Sequence, residues 1–381
     1  MNPSPARTPL GPRALVALGL AALTVGLVVE PSRAARGVLL ATTVVVWAGL
    51  AGATATALYH VCGARWGDRL LRSAHALASL LPWGALGLAA VAVVAPSLYP
   101  WADGARSAAD PHLSARSDWM SLPFVLGRGL ALVAFWTWIA GVVVRRSAAA
   151  LDGDASARRA TVRPAAWFLV LLGPTFSLFA FDWLMSLETH WYSTLYALYH
   201  LSGVLSAAAA GLALLALAAR RAGRAAFGEE EVHDLGKLVF ATSFLWGYLW
   251  FCQWMLVWYA NLPEETGYFV ARHDGVFEPL TVTVVLLGFA IPFAALLSRA
   301  GKRSAARVRL VATVVVAARL LDLHLAIAPS AATAAGPLTW WDVPLALGAL
   351  GAVTWGACRA SAGRVPPPAS RPPPPAHAPV A

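Results

Sequence analysis

Cysteine is scarce in this chain. There are three, Cys62, Cys252 and Cys358, and each stands alone. They form no CxxC pair, no CxxCH haem-attachment motif and no iron–sulfur spacing, so no covalently held redox centre is signalled, and the three read as small buried apolar residues. Charge is scarce as well. Asp, Glu, Lys and Arg make up 13% of the residues, against 59% hydrophobic, and the mean hydropathy is +0.63. That is too apolar for a soluble protein of 381 residues and describes a polytopic membrane chain. No Gly-rich nucleotide loop, metal-ligand motif, internal repeat or stretch long enough for a sizeable soluble domain is present. Acids are the scarcer sign, 19 against 29 Lys and Arg, for a net charge of +10.

What is abundant is the long apolar run. Measured against the roughly 20 residues that span a bilayer, runs fall near 12–29, 37–60, 75–96, 120–145, 163–187, 192–219, 234–260, 277–298, 307–328 and 339–358. The expected fold is an all-α integral membrane protein of about ten helices, with 1–360 as one transmembrane domain. The first run follows Arg7 and Arg13 as a signal peptide would, but its apolar part is long and no clean cleavage site follows, so it reads as a retained helix. Lys and Arg crowd alternate connections: Arg65, Arg69 and Arg72; Arg145 to Arg163; Arg220 to Lys237; Arg299 to Arg309. The other connections hold only Arg33, Arg36, Arg106, Arg116 and Arg272. The positive-inside rule then puts both termini in the cytoplasm. The net charge reflects this bias, and no nucleic-acid surface is implied. Residues 361–381 are Pro-rich and read as a disordered cytoplasmic tail.

Residues 181–203, FDWLMSLETHWYSTLYALYHLSG, pose a question. They carry Asp182, Glu188, His190 and His200 but no Lys or Arg, and a carboxylate near lipid needs a partner. Arg128 and Arg319 lie at similar depth on other runs and are the expected charge partners. Arg319 and Asp322, three apart on one helix, can also pair with each other. Burial works against charge on Asp182 and a nearby guanidinium works for it, so the group is poised to exchange a proton. The 234–260 run is the most polar. His233 and Lys237 share a face beside Asp234, and Thr242, Trp246 and Gln253 fall on one stripe. Such a ladder suits a proton path through Asp182, His200, His233, Asp234, Lys237, Asp322 and His324. The alternative is that these groups clasp neighbouring helices. His200 and His324 at similar depth could also ligate a haem, although nothing else in the sequence supports one. A stand-alone secondary transporter is a further reading, weakened by the absence of matched Gly/Pro-broken helices. A quinone site needs an apolar cleft with a proton-exchanging group, which Asp182 and His200 beside Trp183 could supply.

Two segments carry a family resemblance. DWLMSLETHWYSTLYALYHLSG (Asp182 to Gly203) and HDLGKLVFATSFLWGYLWFCQWMLVWYANLPEET (His233 to Thr266) resemble the F subunit of bacterial alternative complex III, a quinol:cytochrome c oxidoreductase. That subunit is NrfD/PsrC-like and is often labelled quinone-binding subunit 2. HVCGARWGDRLLRSAHALASLLPW, LYPWAD and the stretch ending at Arg128 are similar more weakly. The sequence reads SLETH where many relatives have SLEPH. The resemblance implies two four-helix bundles plus peripheral helices in the bacterial inner membrane. It implies a subunit of a respiratory electron-transport complex that supports quinol oxidation and proton translocation. The implied partners are an NrfD-like sister subunit, an iron–sulfur subunit and haem c subunits, besides membrane lipid. It implies no redox centre or metal in this chain, and menaquinone or ubiquinone as the candidate cofactor.

Overall fold

The structure, a computed structural model, describes residues 10–64, 68–221, 228–273, 275–330 and 342–362. Among them there is helix and no strand. The reason is the solvent: in lipid each backbone N–H and C=O must be satisfied within its own segment, and a helix does that. The principal helices are α1 (Leu10–Val29), α2 (Pro31–Val61), α3 (Asp68–Ala78), α4 (Leu81–Leu98), α5 (Leu122–Leu151), α6 (Ala155–Trp183), α7 (Leu195–Arg221), α8 (Glu229–Ala260), α9 (Pro263–His273), α10 (Glu278–Val285), α11 (Ile291–Leu296), α12 (Ala305–Ile327) and α13 (Asp342–Ala362). Nine segments among the described residues are long and apolar enough to cross a membrane. The tenth expected run is present as α13, which lies along α1 and α2.

Two four-helix bundles form. The first joins α2, α4, α5 and α6; the second joins α7, α8, α10–α11 and α12. Helix α7 packs against α2 and α6 along the seam. The α1–α13 pair stands outside α2, with glycines at its crossing: a Cβ on Gly19 would lie 2.7 Å from Gly348 Cα. Small residues allow such backbone approach, and in lipid close packing is what holds helices together.

Several sequence boundaries move. The run at 75–96 is split by a turn at Ser79–Leu80, and Pro82 opens the first turn of α4, where its missing N–H costs nothing. The run at 163–187 begins earlier, at Ala155, because Asp154 caps α6 by accepting from the Ser156 and Ala157 N–H groups. The run at 277–298 is not one regular helix. A π-helical turn, Leu286–Ala290, separates α10 from α11. The Pro-rich tail, beyond residue 362, lies outside the described residues.

Candidate functional site

Residues 145–163, 220–221, 228–237 and 299–309 share one end of the molecule, called here the arginine-rich end; the 181–194 hairpin and residues 261–273 share the far end. At the far end of the first bundle, α5 presents Arg128 to Asp182 at the end of α6. Arg128 donates through Nε (2.9 Å) and Nη2 (2.8 Å) to the two carboxylate oxygens. Its Nη1 donates to the Trp119 carbonyl, and its guanidinium lies 4.0 Å from the Trp119 ring centroid and 4.5 Å from that of Phe124. This fork-to-fork geometry fixes both partners. Trp183, the next residue, is fully buried, and Tyr99 Oη donates to its carbonyl.

Glu188 is balanced by a residue that sequence reasoning placed only in a connecting loop. Arg272, at the end of α9, is 3% exposed and donates to Glu188 (3.0 Å). It also donates to the carbonyls of Tyr268, Leu325 and Ala326 and to Ser330 Oγ. Leu325 and Ala326 belong to the last turn of α12, whose carbonyls lack helical partners and attract a cation. Ser330 completes the knot by donating to Glu188 (2.7 Å). His190, the remaining polar group of the hairpin, faces Asp110 at 3.0 Å and is largely exposed. The hairpin's charges are therefore met from three different places: α5, α9 and Asp110 in the connection between α4 and α5.

Asp322 forms the polar centre of the second bundle. Tyr199 Oη of α7 donates to one of its oxygens; Trp246 Nε1 of α8 (3.1 Å) and Arg319 Nη1 (3.2 Å) donate to the other. The Arg319 guanidinium lies 3.4 Å from the Trp246 ring centroid. The expected i, i+3 pair thus forms, and two helices outside α12 secure it. The π turn makes room for Arg319: a Cβ on Gly288 would stand 2.0 Å from its Nη2. Nε and Nη2 of Arg319 make no hydrogen bond among the described residues, and neither does either ring nitrogen of His200, which is 1% exposed. The His200 imidazole sits among the Tyr196, Tyr199 and Trp47 rings, at 4.3, 4.9 and 5.8 Å. Buried donors of this kind call for internal water.

A small, partly open cavity reaches Asp322 from the far end. Gln253, Arg272, His273, Tyr268 and Trp250 line it. Its interior is narrow enough to suit water-sized groups. At its rim, outside the spans, burial pushes the Tyr268 phenol up to about 12, and burial lowers the His273 imidazole below its ordinary value.

The remaining expected residues are dispersed. Asp234 and Lys237 pair at 2.5 Å at the start of α8, with Lys237 half exposed, and His233 lies 3.8 Å from Glu230. The stripe on α8 holds at Trp246 and Gln253, both buried. It reaches the surface at Thr242, whose hydroxyl donates to Leu238 of its own helix, while Ser243 is buried instead. Among the described residues no hydrogen bond, ion pair or ring contact joins Asp182 or Trp183 to His200, or any of the three to Lys237. His324 lines a second small cavity with Arg36 and Asp342, at the α2–α12–α13 junction. A feature that the sequence did not suggest lies at the arginine-rich end of the first bundle. His60 and His75 bond one hydroxyl, Ser147 Oγ, at 2.8 and 2.9 Å, and all three residues are buried. Since that hydroxyl has a single proton to donate, at least one imidazole donates to it.

No protein-family model matches the chain, and no curated protein matches it.

Proposed function

We propose that this chain is a membrane subunit of a respiratory quinol:acceptor oxidoreductase, of the kind found as the F subunit of alternative complex III, and that its part is proton transfer coupled to quinol oxidation. The observation that carries the reading is where the two resembling segments meet. Tyr199 comes from the first and Trp246 from the second, and both donate to Asp322. Glu188 of the first and Gln253 of the second lie at or beside the same far-end cavity. The unusual residues of both segments are therefore used together, as a shared polar core.

The path would take protons at the arginine-rich end, where His233, Asp234 and Lys237 touch water, and reach Asp322, His200 and the far-end cavity through internal water. Asp182 stands in the other bundle, so its membership requires a crossing of the α2–α7 seam. The implied setting is the bacterial inner membrane with both termini cytoplasmic, beside an NrfD-like sister subunit, an iron–sulfur subunit and haem c subunits. Menaquinone or ubiquinone would be the electron donor of the complex.

The test is purification of the tagged chain from its native membrane in mild detergent. Haem c and iron–sulfur polypeptides should co-purify with quinol-oxidising activity. A stable homo-oligomer free of those chains, active in substrate uptake after reconstitution, would replace this reading with a transporter.

A further inference from the structure

Four arginines at the arginine-rich end of the first bundle meet no acid among the described residues. Arg145 and Arg146 lie near the end of α5, and Arg159 and Arg163 in the first three turns of α6; all four are exposed. None is in an ion pair among the described residues. Arg146 donates to the Ala160 carbonyl (2.8 Å), which ties the two helices together. Their neighbour Arg158 is turned away, to Tyr59 Oη and the Ala64 carbonyl. The connecting turn offers only Asp152 and Asp154, and Asp154 is taken by the α6 cap, where its bonds to Ser156 and Ala157 hold it below the usual carboxylate range. The same end of the second bundle is different: Arg303 meets Glu230 and Lys237 meets Asp234.

Below these arginines the surface changes character. Trp167 continues the Arg159–Arg163 line along α6, at intervals of four residues, and is 55% exposed. Trp138 lies two turns from Arg145 on α5 and is 64% exposed. With 1.5 Å of rise per residue, Trp138 falls about 10–12 Å from Arg145 and Arg146 along α5, and Trp167 about 6–12 Å from Arg163 and Arg159 along α6. Val170 extends the apolar line. A cationic rim with exposed indoles beneath it is complementary to a molecule with a phosphate at one end and hydrocarbon at the other.

We infer that the α5–α6 hairpin is a binding site for an anionic phospholipid, whose phosphate is held by Arg145, Arg146, Arg159 and Arg163 and whose acyl chains lie along Trp138, Trp167 and Val170. Guanidinium groups suit this task because their forked donors match phosphate oxygens in pairs. Unlike the proton-path proposal, the site depends only on the membrane placement of the hairpin.

Native mass spectrometry of the full-length protein tests it, after equilibration with phosphatidylglycerol or phosphatidylcholine. A R145Q/R146Q/R159Q/R163Q variant should retain phosphatidylglycerol at least about tenfold less well than the wild type, since each basic residue contributes to attraction of an anionic headgroup. A R220Q/R221Q/R299Q/R309Q variant, equal in charge removed, should retain it as the wild type does. Brominated phosphatidylglycerol should quench indole fluorescence in the wild type and less in a W138F/W167F variant, which keeps every arginine and so reports the site even where the glutamine variant folds poorly. Equal lipid loss in the two arginine variants, equal retention of the two lipids by the wild type, or quenching unchanged by W138F/W167F would overturn the assignment.

Discussion

The two bundles are built alike and filled differently. The first is packed with large aromatic side chains: Trp136, Phe168, Phe176, Phe179 and Trp183 are all buried in one continuous apolar core with Leu39, Leu50, Leu81 and Leu88. Its far-end charges are a closed pair, Arg128 with Asp182, satisfied on both carboxylate oxygens. The second bundle spends its centre on Tyr199, Trp246, Arg319 and Asp322, carries a π turn, and opens a cavity toward Asp322. Its buried donors at Arg319 and His200 are incompletely bonded. The difference teaches how a membrane protein divides labour. In lipid, packing gives rigidity, and a polar centre is tolerated only where surrounding elements hold it. The first bundle is the close-packed frame, and the second keeps an incompletely bonded polar centre beside a cavity.

The sharpest way to break the comparison is to remove one charge from each bundle. Arg319→Met leaves Asp322 buried with only neutral donors, and an uncompensated buried charge costs about 3–5 kcal/mol. Thermal unfolding in detergent should show a loss of that order, and Arg319→Met combined with Asp322→Asn should recover more than half of it. Arg128→Met should cost a comparable amount: Asp182 is as buried as Asp322, 3% against 4%, and Arg128 is the donor to both of its oxygens, whereas Asp322 keeps Tyr199 and Trp246. A far smaller loss at Arg128 would mean that water reaches the far end of the first bundle.

Gly288→Ala sharpens the same point without touching charge. The added methyl would occupy the position of Arg319 Nη2, and overpacking of this sort costs about 1–3 kcal/mol. The expected signature is a lowered melting temperature, with a partial rescue by Arg319→Lys, whose head is smaller. A Gly288→Ala protein as stable as the wild type would mean that the π turn yields readily.

Function separates the bundles more directly. On the proposed function, Lys237→Met in the complex reconstituted in liposomes should lower the ratio of protons moved to electrons transferred while quinol oxidation continues. Asp182→Asn decides whether the first bundle shares in the path. A lowered ratio includes it, and a normal ratio with weakened assembly makes Asp182 a clasp for Arg128. Unchanged ratios in both variants would remove the relay.

Much of this architecture is written plainly in the chain. Apolar runs and alternating arginines suffice to locate the helices, because lipid demands both. Arg319–Asp322 could be read from a separation of three residues. The partners of Asp182 and Glu188 could not be fixed in the same way, since Arg128 and Arg272 are 54 and 84 residues distant and nothing local selects them. Arg272 was nevertheless traceable. It is the one cation of residues 261–276, and Glu188 needed a cation. The π turn had no signal beyond Gly288 and Pro292, which also fit an ordinary transmembrane helix. The His60–Ser147–His75 contact joins three helices and is invisible until they pack.

The smallest expected effect concerns pH at the rim of the second bundle's cavity. His273 is partly buried, and its imidazole is lowered first by burial and then by Arg272, with Glu278 acting in the opposite direction. A histidine lowered in the folded state favours folding when neutral. Its contribution is therefore fully present above the unfolded-state value near 6.5 and is lost as the pH falls through that value toward the folded one. Solvent reaches the group, so screening keeps the contribution small. Between pH 7.5 and pH 5.5 the wild type should lose slightly more stability than His273→Gln, which cannot titrate there. Parallel pH profiles of melting temperature for the two proteins would show that the rim is insensitive to protonation. A difference that instead grew on raising the pH would mean that Glu278, and not burial, dominates the imidazole.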